Sequence, residues 1–325
     1  MLTRRAALAA LAGASAGSLT GPLYAQTFPS RTITIVVPYP AGGPVDVLAR
    51  LISQHAQAEL GQAIVVENRP GGSGVIGSVA VMRAEPDGHT LVLGTNQTHA
   101  TNQSLLKNCP YDAAKDFAPV AGLTEVPHAL VVKKDLGVSS TAELVALAKQ
   151  KPGALTCGST GPGSASHLTA ELFKIRAGVD VLHVPFRGAA PLVTEIVAGR
   201  IDMSFATLPS VISQIKAGDM KALAMASPKR AEALPDVTTL QEAGVTGVEA
   251  DAWFALFAPA RTPDAAAQRL YQAIATALSR EQAKSVIAAQ GMTLALKPPA
   301  ALAAMLPGEI AKWGAVIKAA NISVE

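Results

Sequence analysis

Residues Thr32–Arg50 read TITIVVPYPAGGPVDVLAR, and this stretch decides the fold. Its first part, Thr32–Val37, is a β-branched run with the composition of a buried strand. Pro38–Gly43 is a Pro/Gly turn, and from Val45 to Leu60 the apolar residues recur at helical spacing. A strand that passes through a small-residue loop into a helix is the opening of a βαβ unit. Outward from it the same rhythm continues. Ala63–Glu67 reads as a strand, Ile76–Ala84 as a helix and Thr90–Gly94 as a strand. Further on, Ala129–Lys133 is a strand, and Ser140-x-x-Glu143 supplies a capping box for a helix ending at Lys149. Leu155–Gly158, Asp180–Val184, Met203–Ala206 and Lys221–Met225 read as strands with helices between them. Thr262-Pro263 gives a helix cap with Pro at the first helical position. Helices then dominate to Asn321, with a strand at Thr293–Leu296. Alternation of this kind predicts an α/β protein whose mainly parallel sheets are covered by helices on both faces.

A chain of 325 residues with 49% apolar content can bury two cores, so two domains are expected. Short crossings near Glu125–His128 and Val248–Asp251 would join them and suit hinge motion. The N-terminus carries a basic start (Met1–Arg5), a small apolar stretch (Ala6–Ala16) and a small residue at Ala25. These are the parts of a secretory signal peptide cut after Ala25. Arg4-Arg5 leaves both the general and the twin-arginine export routes open. Without the two arginines the chain has 25 basic and 24 acidic residues, about +1. So small a net charge, with no Lys/Arg run, argues against nucleic acid as a partner. Cys109 and Cys157 form no framework and have no zinc-ligand spacing, and both are expected to be unpaired.

Three loops recur in one setting, each between a strand and a helix. They are Pro38–Asp46 with Tyr39, Pro40, Ala41, Gly42 and Gly43; Gly158–His167 with Ser159, Thr160, Gly163, Ser164 and His167; and Val184–Pro191 with Phe186, Arg187 and Gly188. Glycine lets a backbone approach a ligand, and helix N-termini present free N–H groups and a positive dipole end. In open α/β sheets such loops at strand C-termini are where ligands bind. Asp46 either interacts with its helix dipole or accepts bonds from ligand or water. Arg187 either pairs with a ligand carboxylate or forms a salt bridge. His99 reaches toward a site from the loop after Thr90–Gly94, or is a solvated loop residue. Aromatics make up only 4% of the chain, so Phe186, Phe205 and the Trp253-Phe254 pair stand out as pocket wall or core.

Other motifs carry less. Gly72–Gly77 fits G-x-G-x-x-G, but Asn68–Gly71 separates it from the strand and no acid follows at the required distance. No P-loop ending is present and, beyond the expected leader, no G-x-S-x-G elbow. Ser164 and His167, one helical turn apart, are the residues on which a hydrolase would have to be built, and they lack an evident third partner. No metal spacing is found among the histidines, and no cofactor is expected.

The segments PYPAGGPVDVLAR (38–50), VENRPGGSGVIG (66–77), PDGHTL (86–91), YDAAKDFAPV (111–120), GSTGPGSASHL (158–168), VPFRGAAP (184–191), GRIDMSFA (199–206) and LPDVTTLQEAG (234–244) together resemble the Bug receptors, the substrate-binding proteins of tripartite tricarboxylate transporters. The resemblance implies a two-lobe Venus-flytrap periplasmic binding protein with a ligand cleft. Lobe 1 would comprise 26–126 and 250–325, and lobe 2 127–249. It also implies a monomeric, non-enzymatic receptor that delivers a small mono- or dicarboxylate to membrane permease subunits. The first Gly-Gly loop (Pro40–Gly43, Asp46) and the Ser-rich loop (Ser159, Thr160, Gly163, Ser164, His167) would hold the ligand. Pro44, Cys109 and Phe186 depart from the usual pattern, which leaves the ligand open. A sensor for a membrane signalling partner is the alternative.

Overall fold

The computed structural model describes residues 28–320 and 322; the expected leader, residues 1–25, lies outside them. The elements in chain order are β1 (Ile33–Val37), α1 (Pro44–Leu60), β2 (Ile64–Asn68), α2 (Val75–Met82), β3 (Thr90–Thr95), α3 (Asn102–Leu105), β4 (Phe117–Val126), β5 (His128–Lys133), α4 (Thr141–Gln150), β6 (Thr156–Ser159), α5 (Ala165–Ala177), β7 (Leu182–Pro185), α6 (Ala189–Val197), β8 (Met203–Thr207), α7 (Leu208–Ala217), β9 (Met220–Met225), β10 (Ala252–Pro259), α8 (Asp264–Leu278), α9 (Glu281–Ala289), β11 (Thr293–Lys297) and α10 (Pro299–Ala319). They form a six-stranded sheet ordered β11-β4-β10-β3-β1-β2 and a five-stranded sheet ordered β7-β6-β8-β5-β9.

Both sheets are mixed, which corrects the mainly parallel expectation. β2, β1 and β3 run parallel, but β10 lies antiparallel to both β3 and β4, and β11 antiparallel to β4. In the second sheet β7, β6 and β8 are parallel, whereas β5 is antiparallel to β8 and β9. Two strands of the large sheet, β4 and β10, are not linked to a parallel neighbour through a helix: β4 runs into β5 across Pro127 alone, and β10 leads through a short loop into α8. They pair with each other over their full lengths, with register shifts at Phe254/Ala255 and Leu256/Phe257 of the kind a β-bulge produces.

Side-chain alternation builds the cores. Ile33, Ile35 and Val37 of β1 face one side of the large sheet with Phe254 and Leu256, under α1 and α8. Val36 faces the other side with Trp253, Ala255 and Phe257, under α10. The small sheet likewise sends Leu130, Val132 and Phe205 to one face and Ala129, Val131 and Ala206 to the other. Every residue of β10 is buried, as a strand covered on both faces requires.

The chain passes from the large sheet to the small one at Pro127, since β4 ends at Val126 and β5 begins at His128. Leu208 N–H donates to the Pro127 carbonyl (2.8 Å), and on the return Ala250 N–H donates to Ala226 (2.8 Å). α10 packs Leu302, Leu306, Trp313 and Ile317 into a cluster that also contains Leu105 and Leu168. That cluster therefore takes residues from beneath both sheets. Cys157 is buried and Cys109 half-buried, and both are free thiols, as expected.

Candidate functional site

The C-terminal ends of strands in both sheets converge on a cavity of about 930 Å³. This is the size range of small-molecule sites, and the position between two packed units is a common one for them. From the large sheet it is lined by the loop after β1, by Asn96 and Gln97 after β3, and by Ala252 and Phe254 of β10. From the small sheet come Thr160 and Ser164, Arg187 and Gly188, and Thr207 and Ser210, while His128 lies at the crossing point.

The loop after β1 is shaped by Asp46. Its Oδ2 accepts from Gly42 N–H (2.9 Å) and Arg50 Nε (2.9 Å), and its Oδ1 accepts from Asn68 Nδ2 (2.9 Å). Burial alone would raise this carboxyl, but those three bonds outweigh it and hold the pKa below the usual aspartate value. Gly42 takes φ +83°, a left-handed conformation that an L side chain adopts only at a cost. Gly43 then precedes α1 with Pro44 at its first position. Pro44 has no N–H, so the unpaired donors of that first turn begin at Val45. Tyr39 Oη, against Thr95 Oγ1 (2.8 Å) and Gln97 Oε1 (3.2 Å), ties this loop to the end of β3. Burial, only partly offset by the Thr95 bond, pushes the phenol up to about 12, so it stays protonated.

The Ser-rich loop is held by its own side chains. Ser164 caps α5, accepting from His167 N–H (3.4 Å), and its hydroxyl donates to the Gly161 carbonyl (2.7 Å). Thr160 N–H donates to Ser166 Oγ (2.9 Å), and Gly163 N–H donates to His167 Nδ1 (3.0 Å). With Nδ1 occupied and the Ser164 hydroxyl turned to a carbonyl, Ser164 and His167 form no relay, which removes the structural basis of the hydrolase alternative built on them.

Of the residues singled out in the sequence, Tyr39, Pro40, Ala41, Gly42, Gly43, Thr160, Ser164, Arg187 and Gly188 line the cavity. The others do not, each for a physical reason. Asp46 is buried behind its loop. His99 is fully buried, stacked on Phe257 at 3.8 Å, and burial drives its pKa to about 3. Ser159 lies beneath the loop with its Oγ 2.6 Å from His183 Nε2. Gly163 packs on Leu105. His167 stacks on His183 at 3.7 Å and borders a separate hollow with Glu171 and Lys174. Phe186 packs in the cluster with Leu192, and Phe205 is buried in the small-sheet core beside Phe173. Trp253 points away from the cavity, its Nε1 donating to Glu309 Oε2 (2.8 Å), so Phe254 is the wall residue.

Sequence reasoning missed Asn96, Gln97, His128, Thr207 and Ser210 as lining residues. Asn96-Gln97 and Thr207 had an available signal, since they follow strands as the chosen loops do. His128 had none beyond its place at a crossing.

Electrostatically the wall is simple. Among the described residues that line it, Arg187 is the one permanently charged side chain. Arg187 forms no salt bridge among the described residues, and no carboxylate lines the cavity. Arg187 and the helix N-termini therefore favour an anion. No group of three or more His, Cys, Asp or Glu residues is arranged to hold a metal ion among the described residues.

Residues 48–322 match the family described as the tripartite tricarboxylate transporter family receptor, TctC. BugT of Bordetella pertussis is 34% identical over 318 residues, which is 98% of this chain and 97% of that protein. Among solved structures, R. palustris Rpa4515 with adipate is 36% identical, with a TM-score of 0.86, and the match covers 91% of this chain and 100% of that one. MatC from Rhodopseudomonas palustris with bound malate is 34% identical, with a TM-score of 0.81, covering 89% and 100%.

Proposed function

The chain belongs to the receptor family of tripartite tricarboxylate transporters and is a solute-binding protein, not an enzyme; from that premise we propose that it captures a small organic acid outside the cytoplasm and presents it to membrane permease subunits. Residues 1–25 would direct its export to the periplasm and be removed there. Residues 26–126 with 250–325 form one lobe and residues 127–249 the other, and the ligand holds them together. A ligand that touches both lobes binds the closed state more tightly and shifts the population toward it.

The observation that carries this reading is the cavity wall. Among the described residues its single permanent charge is Arg187 and it holds no acid, and glycine- and serine-rich loops from both sheets meet there at helix N-termini. A carboxylate there would meet a guanidinium able to make bidentate contacts and unpaired backbone donors. The relatives solved with adipate and malate favour the same chemical class.

A thermal-shift screen of the mature protein against mono-, di- and tricarboxylates, amino acids and uncharged amides tests it. A ligand at 100 times its Kd adds about 2.7 kcal/mol, worth about 4 °C in a chain of this size. Selective shifts among the acids, lost in Arg187→Ala, are expected. Shifts confined to uncharged compounds, or none after refolding to strip carried-over ligand, would overturn the proposal.

A further inference from the structure

One side chain on the cavity wall has its hydrogen bonding half complete. His128 Nδ1 lies 2.9 Å from the Ala250 carbonyl oxygen. A carbonyl only accepts, so Nδ1 carries the proton, and in the neutral ring Nε2 is left as a lone pair. That nitrogen is buried and has no partner, in a residue with 0% exposure. Burial, only partly opposed by the Ala250 bond, holds the imidazole pKa near 4, so the ring is neutral at physiological pH. His128 thus brings a bare acceptor to a residue position on the cavity wall.

A buried acceptor without a donor is costly, and the second ligand group is the natural source of one. An ionised carboxylate there would set lone pair against lone pair unless the ring took up a proton, which its burial opposes. Keeping an acid of ordinary pKa near 4.3 protonated at pH 7 would weaken binding about 500-fold. An ammonium has the donors but would find no acidic side chain on this wall, and a buried charge without a partner is strongly disfavoured. The neutral donors, hydroxyl and amide N–H, remain. A carboxamide or hydroxyl is also an acceptor, which suits Asn96 Nδ2, a second buried and unpartnered group on the same wall.

We infer that the ligand is a carboxylate whose other end presents a neutral hydrogen-bond donor, a hydroxyl or a carboxamide, to His128 Nε2, and that His128 discriminates against fully ionised dicarboxylates. This rests on the organic-acid reading above and sharpens it. His128 follows Pro127 at the outward crossing and is bonded to Ala250 at the return, so the contact sits where the two halves of the chain join.

The experiment is titration calorimetry at pH 7.5 with matched pairs: succinate against succinamate, and adipate against adipamate and 6-hydroxyhexanoate. At least one donor-ended acid should bind ten-fold or more tightly than its dicarboxylate. His128→Phe should bring that ratio to within two-fold, and His128→Gln, which retains an acceptor, should keep part of it. A wild-type protein in which no donor-ended acid binds ten-fold more tightly than its dicarboxylate overturns the inference and leaves the organic-acid reading standing. An unchanged ratio in folded His128→Phe also overturns it. Absence of binding by every acid in the set would refute both. If His128→Phe does not fold, the wild-type ratios and the Gln variant still decide.

Discussion

Gly163 offers a test of how the two halves of the molecule are coupled. It sits in the Ser-rich loop of the small sheet at φ +67°. A Cβ placed there would lie 2.7 Å from Leu105 Cγ and closer still to both of that side chain's methyl carbons. Leu105 is the last residue of α3, in the cluster beneath the large sheet, so the clash of Gly163→Ala falls between the two sheets. Two costs separate. The left-handed backbone costs alanine about 1–2 kcal/mol whether the halves are together or apart. Overpacking against Leu105 costs about 1–3 kcal/mol, but only while the halves meet as they do here. The first cost should appear as lost stability in urea melts. The second should appear as weaker carboxylate binding by calorimetry, about 5- to 150-fold. Leu105→Ala, which vacates the space, should rescue the second cost but not the first. In a double-mutant cycle the coupling should be about 1–3 kcal/mol in favour of the pair. Wild-type affinity in Gly163→Ala, or strict additivity of the two substitutions, would refute the reasoning.

Gly43→Val should fold normally, because φ −78° and ψ 169° are ordinary extended backbone and a Cβ meets only the Pro40 carbonyl, at 3.7 Å. Its branched side chain should cut affinity by roughly 100-fold or more, a loss of about 2.7 kcal/mol or more; retained affinity would remove that loop from the site. Asp46→Ala should cost about 1–3 kcal/mol and weaken all acids alike, since Asp46 shapes the loop without touching the cavity. Because its folded pKa is depressed, this contribution is present at neutral pH and lost as pH falls below the ordinary aspartate range. The gap between variant and wild type in urea melts should therefore narrow as pH falls below the ordinary aspartate range, and a gap that does not narrow there would count against the argument. His99, His128 and His167 are held at about 3, 4 and 4, whereas in the unfolded chain they take up protons near 6.5. Stability should be intact above pH 6.5 and fall below it by up to about 1.4 kcal/mol per unit for each. Asp251 works in the opposite sense: burial raises its carboxyl to about 6, so its stabilising share is full in acid and lost as pH rises through 6. Three histidines outweigh one carboxyl, and a Tm that is flat between pH 7 and 5 would contradict the burial argument.

What the sequence disclosed is what local rules determine. The β1–loop–α1 unit and the Ser140 cap, whose hydroxyl accepts from Glu143 N–H as expected, are decided within a few residues. β4 and β10 are not. Pro119 and Gly122 interrupt β4, and β10 follows a long irregular stretch after β9, although α8 comes directly after it. Their pairing is a long-range fact, and it makes the large sheet mixed. The site divides along the same line. The polar residues most conspicuous in the loops, Asp46 and His167, each bond to a backbone N–H four residues earlier, at Gly42 and Gly163. A polar side chain with a partner that close has satisfied itself and shapes the loop, so sequence proximity argued for the wrong role. Trp253 and Phe254 differ by one residue, and alternation along β10 decides which of them faces the cavity. His128 and Asn96 have no such local partner; they combine a place on the cavity wall with a bond not made, whereas the unpartnered atoms of His99 and Asn102 lie away from it. That is a property of the assembled cavity, visible only when each buried donor and acceptor is accounted for. An unpartnered polar group that also stands on the cavity wall at the crossing of two sheets therefore points to ligand contact in a way a glycine-rich loop does not, because the loop can complete its own hydrogen bonds.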